Sequence, residues 1–77
     1  MADGKEVDAI VSIDGLTFLI EVKLGYSPDV VDAAAASLRR FAQGVPGDTE
    51  LLVITGGGMS YRRPDGVNVV AIGALGP

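Results

Sequence analysis

A chain of 77 residues without cysteine or histidine allows one domain and no disulfide to support it. The missing residue types exclude zinc sites of the usual ligands and nucleophiles that depend on cysteine or histidine. A bound metal would therefore be a hard, oxygen-ligated ion such as magnesium, manganese or calcium. The net charge of −4 gives no general attraction for a polyanion such as nucleic acid.

Hydropathy indicates a folded protein. The apolar share is 48% and the mean hydropathy is +0.39, which is too apolar for a disordered chain. No apolar run approaches the roughly 18 residues of a membrane-spanning helix. Residues 1–5 also lack the apolar core of a signal peptide. We therefore expect a cytoplasmic protein.

The first two predicted elements are strands joined by a tight turn. Residues 6–13 alternate from Val7 onward with apolar side chains at every second position, and residues 16–24 do the same from Leu16. Between them lies Asp14-Gly15, a pair preferred in two-residue type I′ turns. The pattern predicts a β-hairpin.

A helix follows. Ser27 is suited to the N-cap and Pro28 to the first helical position. Gly44 is placed as the C′ residue, and Pro46-Gly47 prevents continuation. One face of this helix is apolar, and it comprises Val31, Ala34, Ala35, Leu38, Phe41 and Ala42.

The rest of the chain reads as three strands. Residues 50–55 contain a continuous apolar run, Leu51-Leu52-Val53-Ile54, typical of a strand buried on both faces, and a right-handed crossover would place it parallel to the second strand. A second hairpin is predicted from residues 60–63 and 67–72, with its turn at residues 64–66. The predicted layout is ββαβββ, an open mixed α/β sheet with one helix packed on a face.

The register of the first hairpin brings four charged residues together. If Ile13 lies opposite Leu16, then Asp8 lies opposite Glu21, unless a β-bulge intervenes. The same count places Glu6 opposite Lys23, and all four charged side chains project from one side of the sheet. The other side, expected to face the helix, would carry Val7, Ala9, Ile20 and Val22.

Two opposed carboxylates need a proton, a cation or open water to tolerate each other. A divalent ion bound at about 2.0–2.6 Å by oxygens would fit between Asp8 and Glu21. Lys23 could stabilise a developing negative charge or orient a water molecule. The alternative is an ordinary polar hairpin face on which Glu6 and Lys23 form a surface ion pair.

Residues 6–11 and 18–23 together resemble the core motif of the PD-(D/E)XK nuclease superfamily. More narrowly, the chain resembles the C-terminal domain that follows the ATPase module in many prokaryotic AAA-type ATP-binding proteins. The likeness covers nearly the whole chain from about Asp3 onward. It is carried by residues 20–25, 32–38, 52–55, 61–67 and 71–77.

The resemblance implies a restriction-endonuclease-like fold that lacks the N-terminal helix and strand of the superfamily core. It implies that Asp8, Glu21 and the backbone carbonyl of Val22 bind Mg²⁺ or Mn²⁺, with Lys23 as the catalytic lysine. Residues 1–77 would be one nuclease-like domain, a fragment of a larger ATPase-linked protein. The expected partners are an ATPase module or a second copy of the chain, paired through the incomplete sheet edge.

The implied function is metal-dependent phosphodiester hydrolysis on DNA or RNA. The alternative from another class is an inactive nuclease-like module that serves interaction or regulation, and a non-functional remnant is a third reading. Tyr61, Arg62 and Arg63 could contact nucleic acid, or the arginines could be solvated or paired with Asp65. Residues 56–58 are three glycines without the lysine of a P-loop, so we expect a flexible turn or a bulge there.

Overall fold

A computed structural model describes residues 7–75 of the chain. Within them the order of elements is ββαβββ, followed by a short 3-10 helix at Ile72–Leu75. The predicted order and the α/β class are confirmed. The elements are β1 (Ala9–Ile13), β2 (Leu16–Lys23), α1 (Pro28–Ala42), β3 (Asp48–Thr55), β4 (Tyr61–Arg62) and β5 (Asn68–Ala71).

The strands form one mixed sheet in the order β1-β2-β3-β5-β4. Strands β2, β3 and β5 are parallel to one another, as the crossover through α1 predicts for β2 and β3. The edge strands β1 and β4 pair antiparallel with β2 and β5. The described helix is not long and apolar enough to cross a membrane.

The first hairpin has the predicted turn and register. Asp14 and Gly15 have φ angles of 51° and 84°, the pair of positive values that a type I′ turn requires. The ladder then runs from the pair Ile13–Leu16 to the pair Ala9–Ile20. The turn therefore fixes which side chains of β1 and β2 share a face.

Helix α1 begins as predicted, with Ser27 accepting a hydrogen bond from the backbone N–H of Val30 at 3.4 Å. Gly44 occupies the C′ position, but it does not adopt the left-handed conformation that motivates glycine there. Its N–H instead donates to the carbonyl of Phe41 at 3.1 Å, a three-residue bond that tightens the last turn.

The core lies between α1 and one face of the sheet. We call this face the covered face and the opposite one the open face. Leu19 of β2 and Leu38 of α1 are both fully buried in this core. The other buried core residues are Val31, Ala34, Ala35, Val53, Val67 and Val69.

Strand β3 is buried on one face only. Val53 and Thr55 on the covered face are buried, whereas Leu52 and Ile54 on the open face are half-buried. The expectation of burial on both faces was therefore wrong for the described part of the chain. An apolar run shows that a strand can be buried on both faces, but it does not show whether a second layer covers the second face.

The second hairpin is shorter than predicted. Its turn closes through the bond from the Gly66 N–H to the Arg63 carbonyl at 2.9 Å, and the Arg63 N–H donates to the Val67 carbonyl at 2.8 Å. Strand β5 ends at Ala71 because Ile72 begins the 3-10 helix.

Candidate functional site

The helix lies on the side of the sheet opposite to the one expected. Leu19 is fully buried against α1, and alternation along β2 places Glu21 and Lys23 on the same covered face. Val22 lies on the open face with 48% of its surface exposed. The assignment was wrong because β2 has apolar residues at both parities, so that the pattern alone does not choose the core side.

The other three residues expected to face the helix do not all lie on the same side of the sheet. Ala9 and Ile20 pair with each other and share the open face with Val22, so their assignment was also wrong. Val7 does pack against the core, as predicted.

The chain just before β1 explains the position of Val7. The backbone N–H of Asp8 donates to the carbonyl of Ile20 at 2.9 Å, although Ile20 is already the partner of Ala9. Asp8 and Ala9 thus both lie opposite Ile20, as in a β-bulge, and before Ala9 the alternation of side chains between the two faces shifts by one residue. Asp8 is therefore not directly opposite Glu21, which corrects the predicted register at this point. Glu6 lies outside the described residues.

The bulge turns the Asp8 side chain toward the backbone of β2. Its Oδ2 accepts a hydrogen bond from the N–H of Val22 at 2.7 Å, in the place where a ladder carbonyl would accept it. The N–H and C=O of one strand residue face the same neighbour in an antiparallel pair. The carbonyl of Val22 is therefore directed to the same edge of β2 as the Asp8 carboxylate.

Glu21 and Lys23 form an ion pair beside this edge. The Nζ of Lys23 lies 3.3 Å from Oε2 of Glu21, and the side chains are 41% and 12% exposed. The second carboxylate oxygen, Oε1 of Glu21, is buried and has no hydrogen-bond partner among the described residues. Buried acceptors of this kind are rare in folded proteins and call for a ligand, a water molecule or a functional explanation.

The donor set suits a hard cation in kind but is small. Asp8, Glu21 and the Val22 carbonyl offer oxygen ligands, as Mg²⁺ and Mn²⁺ prefer. Among residues 7–75 no group of three or more acidic side chains is close enough to hold a metal ion. A metal here would complete its shell with water or a substrate oxygen. Lys23 pairs with Glu21, and the alternative pair with Glu6 lies outside the described range.

The site lies at the carboxyl end of β2, the end at which open α/β sheets usually bind ligands. The sequence did not indicate which residues surround the site there. A Cβ on Gly56 would lie 2.8 Å from the carbonyl oxygen of Leu24, and one on Gly57 would lie 2.8 Å from Cε1 of Tyr26. The glycine loop is thus packed against the end of β2 and the Tyr26 ring. The sequence signal was a run of glycines directly after a buried parallel strand.

Arg63 is part of an internal ion-pair network that joins α1 to the second hairpin. Its Nη1 lies 2.7 Å from Oδ1 of Asp32, and its Nε lies 3.2 Å from Oδ2 of Asp65. Arg39 approaches the same Asp65 oxygen at 4.0 Å. Pairing with Asp65 is the alternative anticipated for Arg62 and Arg63, and it is present for Arg63. Asp32 is a partner that the sequence did not indicate.

The network shifts two pKa values in opposite directions. The hydrogen bond to Asp32 raises the pKa of Arg63 above its ordinary value, against an opposing effect of burial. Burial acts to raise the pKa of Asp65, but the N–H of Val67 and the Arg63 guanidinium together lower it below its ordinary value. Both groups are therefore held in their charged forms.

Tyr61 and Arg62 are exposed neighbours on the edge strand β4. They project to opposite faces of the sheet, because Tyr61 pairs with Val69 and Arg62 with Asn68. The structure therefore does not gather Tyr61, Arg62 and Arg63 into one patch. Nucleic-acid contact by these residues stays a prediction.

Comparison of the chain with protein-family models, curated protein sequences and solved structures gives no match. The nuclease resemblance is therefore carried by the residues of this chain alone. Its functional content is a hypothesis that the geometry around Glu21 has to support.

Proposed function

We propose that Asp8, Glu21 and Lys23 form a Mg²⁺- or Mn²⁺-dependent site for phosphodiester hydrolysis on DNA or RNA, in a PD-(D/E)XK nuclease-like domain attached to an ATPase module. The observation that carries the proposal is the buried Oε1 of Glu21, which has no hydrogen-bond partner among residues 7–75. A carboxylate oxygen removed from water without a partner costs stability, and sites that bind a ligand commonly bear such a cost.

The resident residues have separate roles. Glu21 offers its free oxygen as a metal ligand, and Asp8 offers the carboxylate oxygen that does not accept the Val22 N–H. The Val22 carbonyl, directed to the same edge, would complete the protein's share of the shell. When bound, the metal would lower the pKa of a water ligand and offset negative charge on the phosphate.

Lys23 acts from the rim of the site. Its side chain is 41% exposed, so that the ammonium group can leave Glu21 and reach a phosphate oxygen without first being uncovered. There it would stabilise charge that develops in the transition state, or orient the attacking water. This role separates Lys23 from the two acidic residues, which act through metal binding.

A cleavage assay with matched variants tests this assignment. Labelled single- and double-stranded DNA and RNA are incubated with the purified chain and Mn²⁺ or Mg²⁺. We expect cleavage by the wild type and by Glu50→Gln, a control that removes a carboxylate from the opposite face. We expect loss of cleavage in Asp8→Asn, Glu21→Gln and Lys23→Met.

A measurement of metal binding separates the two proposed metal ligands from Lys23. Lys23→Met should still bind Mn²⁺, whereas Asp8→Asn and Glu21→Gln should not. Cleavage that is equal in the wild type and Glu21→Gln would come from a contaminant, and a folded wild type that leaves all four substrates intact would contradict an active site in this chain.

A second candidate function is an inactive nuclease-like module that binds or regulates an ATPase module. The observation that favours it is that the Asp8 and Lys23 side chains each have an internal partner. The net charge of −4 also opposes nucleic-acid binding. A folded wild type that neither binds Mn²⁺ nor cleaves, together with an Asp8→Asn/Glu21→Gln double variant that keeps partner binding, would support this function.

A further inference from the structure

The open face of the sheet is apolar over most of its width. Val11, Ile13 and Val22 have 42%, 55% and 48% of their surface exposed. Helix α1 packs on the other face and leaves these residues uncovered. The strand register assigns to it the apolar residues Ala9, Val11, Ile13, Leu16, Phe18, Ile20, Val22, Leu52, Ile54 and Val70.

The polar side chains of the open face are confined to one corner. There the amide of Asn68 donates to Oε1 of Glu50 at 3.1 Å, and Asp48 and Arg62 project beside them. The rest of the face, from β1 across to the carboxyl ends of β2 and β3, carries no charged residue. Interfaces between proteins commonly have this arrangement of an apolar centre and a polar rim.

An exposed face of this composition is unusual for a sheet that contains parallel strands. Parallel strands are normally covered on both faces, and antiparallel strands that meet water on one side carry polar residues there. Sheets bury an apolar face against another layer. Strands β2, β3 and β5 are parallel, and their open face is apolar. A second layer is therefore expected.

The size of the open face can be compared with the area of known interfaces. Strands β1, β2, β3 and β5 have five, eight, eight and four residues, and each residue occupies about 3.3 Å along its strand and about 4.8 Å across it. The resulting face covers about 400 Å², within the range of the largest patch that a monomer exposes. Two such faces in contact bury about 800 Å², the size of a small and weak interface.

We propose that two copies of this chain pack face to face through the open face, forming a dimer in which the two sheets are stacked. A second copy fits because the face is broad and uncharged at its centre, so that it complements itself about a two-fold axis. Twisted sheets stack in this way about 10 Å apart with their strands about 30° from parallel.

A competing geometry joins two copies at the edge of the sheet. In the two-residue hairpin Ile13 and Leu16 form a hydrogen-bonded pair, so Ile10 and Ser12 direct their backbone groups away from β2. Edge pairing would use these groups and would leave the open face uncovered. The observations favour face packing because it removes the larger apolar area from water.

Sedimentation equilibrium from about 1 to 500 µM distinguishes the two geometries. We expect the wild type to dimerise with a micromolar Kd. Val22→Lys would bury an unpaired charge from each copy and should weaken the dimer at least about 100-fold. The matched control is Ile10→Lys, which changes a residue of similar exposure on the covered face and should leave the Kd within about threefold.

An additional variant addresses the edge directly. Ile10→Pro removes an outward N–H that β2 does not use, so it should abolish edge pairing and leave face packing intact. Circular dichroism checks that each variant folds. If Val22→Lys does not fold, Val22→Thr takes its place, because threonine keeps the β-branched shape of valine. A wild type that stays monomeric at 500 µM would overturn the proposal. So would a dimer that survives both Val22 variants, or one that Ile10→Pro abolishes. The proposal does not depend on the metal site.

Discussion

Replacing Glu21 with glutamine should make the protein more stable. The substitution keeps the shape of the side chain and removes its charge. The buried Oε1 has no partner among the described residues, and such an atom costs about 1–3 kcal/mol, more when it is charged. The substitution also loses the ion pair with Lys23, worth about 0–1 kcal/mol because the lysine is 41% exposed.

The two effects leave a net gain of about 1 kcal/mol. In a domain of this size such a gain raises Tm by about 4–8 °C. Urea unfolding followed by circular dichroism at pH 7, without divalent metal, measures the difference directly. The control is Glu50→Gln, because Glu50 already accepts a hydrogen bond from Asn68 and should not be stabilised by losing its charge.

The comparison distinguishes a functional carboxylate from a structural one. If Glu21→Gln lowers the stability by more than about 1 kcal/mol, the carboxylate has a stabilising partner and the reasoning fails. If Glu50→Gln gains as much as Glu21→Gln, the gain comes from the reduced net charge and not from the buried oxygen.

Further predictions concern the core, the glycine loop and the ion-pair network. Leu38→Ala, at a fully buried position, should cost about 2–5 kcal/mol in urea unfolding, whereas Leu24→Ala, at a side chain 86% exposed, should be nearly neutral. Gly56→Ala forces a Cβ to 2.8 Å from a backbone carbonyl and should cost about 1–3 kcal/mol, whereas Gly44→Ala meets only ordinary contacts and should be neutral or stabilising. The lowered pKa of Asp65 means that its contribution to stability is complete above its ordinary value of 3.8 and is lost as the pH falls through the folded-state pKa. The stability deficit of Asp65→Asn should therefore be present at pH 7 and shrink in acid, and an equal deficit at pH 7 and pH 3 would contradict the assigned shift.

Local signals predicted the elements of the fold well. The Asp14-Gly15 turn, the Ser27 cap and the apolar stripe of α1 each depend on a few adjacent residues, and all three are present. Parallel pairing of β2 and β3 followed from the short crossover. These features could be predicted because sequence spacing alone determines them.

The side of the sheet that the helix covers could not be predicted in the same way. Strand β2 is apolar at Phe18 and Ile20 as well as at Leu19, so either face could form the core. A bulge near Asp8 was left open by the sequence but could not be predicted from it, because it arises where Val7 turns to the core and the Asp8 carboxylate accepts the Val22 N–H. The sequence spacing singled out Asp8, Glu21 and Lys23, but Asp8 does not lie directly opposite Glu21 as the predicted register required.

Calorimetric titration of Mn²⁺ into the wild type, Glu21→Gln and Glu50→Gln tests the metal site most directly. We expect binding by the wild type and by Glu50→Gln, and no binding by Glu21→Gln. A folded wild type that does not bind Mn²⁺, or equal binding by all three proteins, would contradict a metal centre at Glu21.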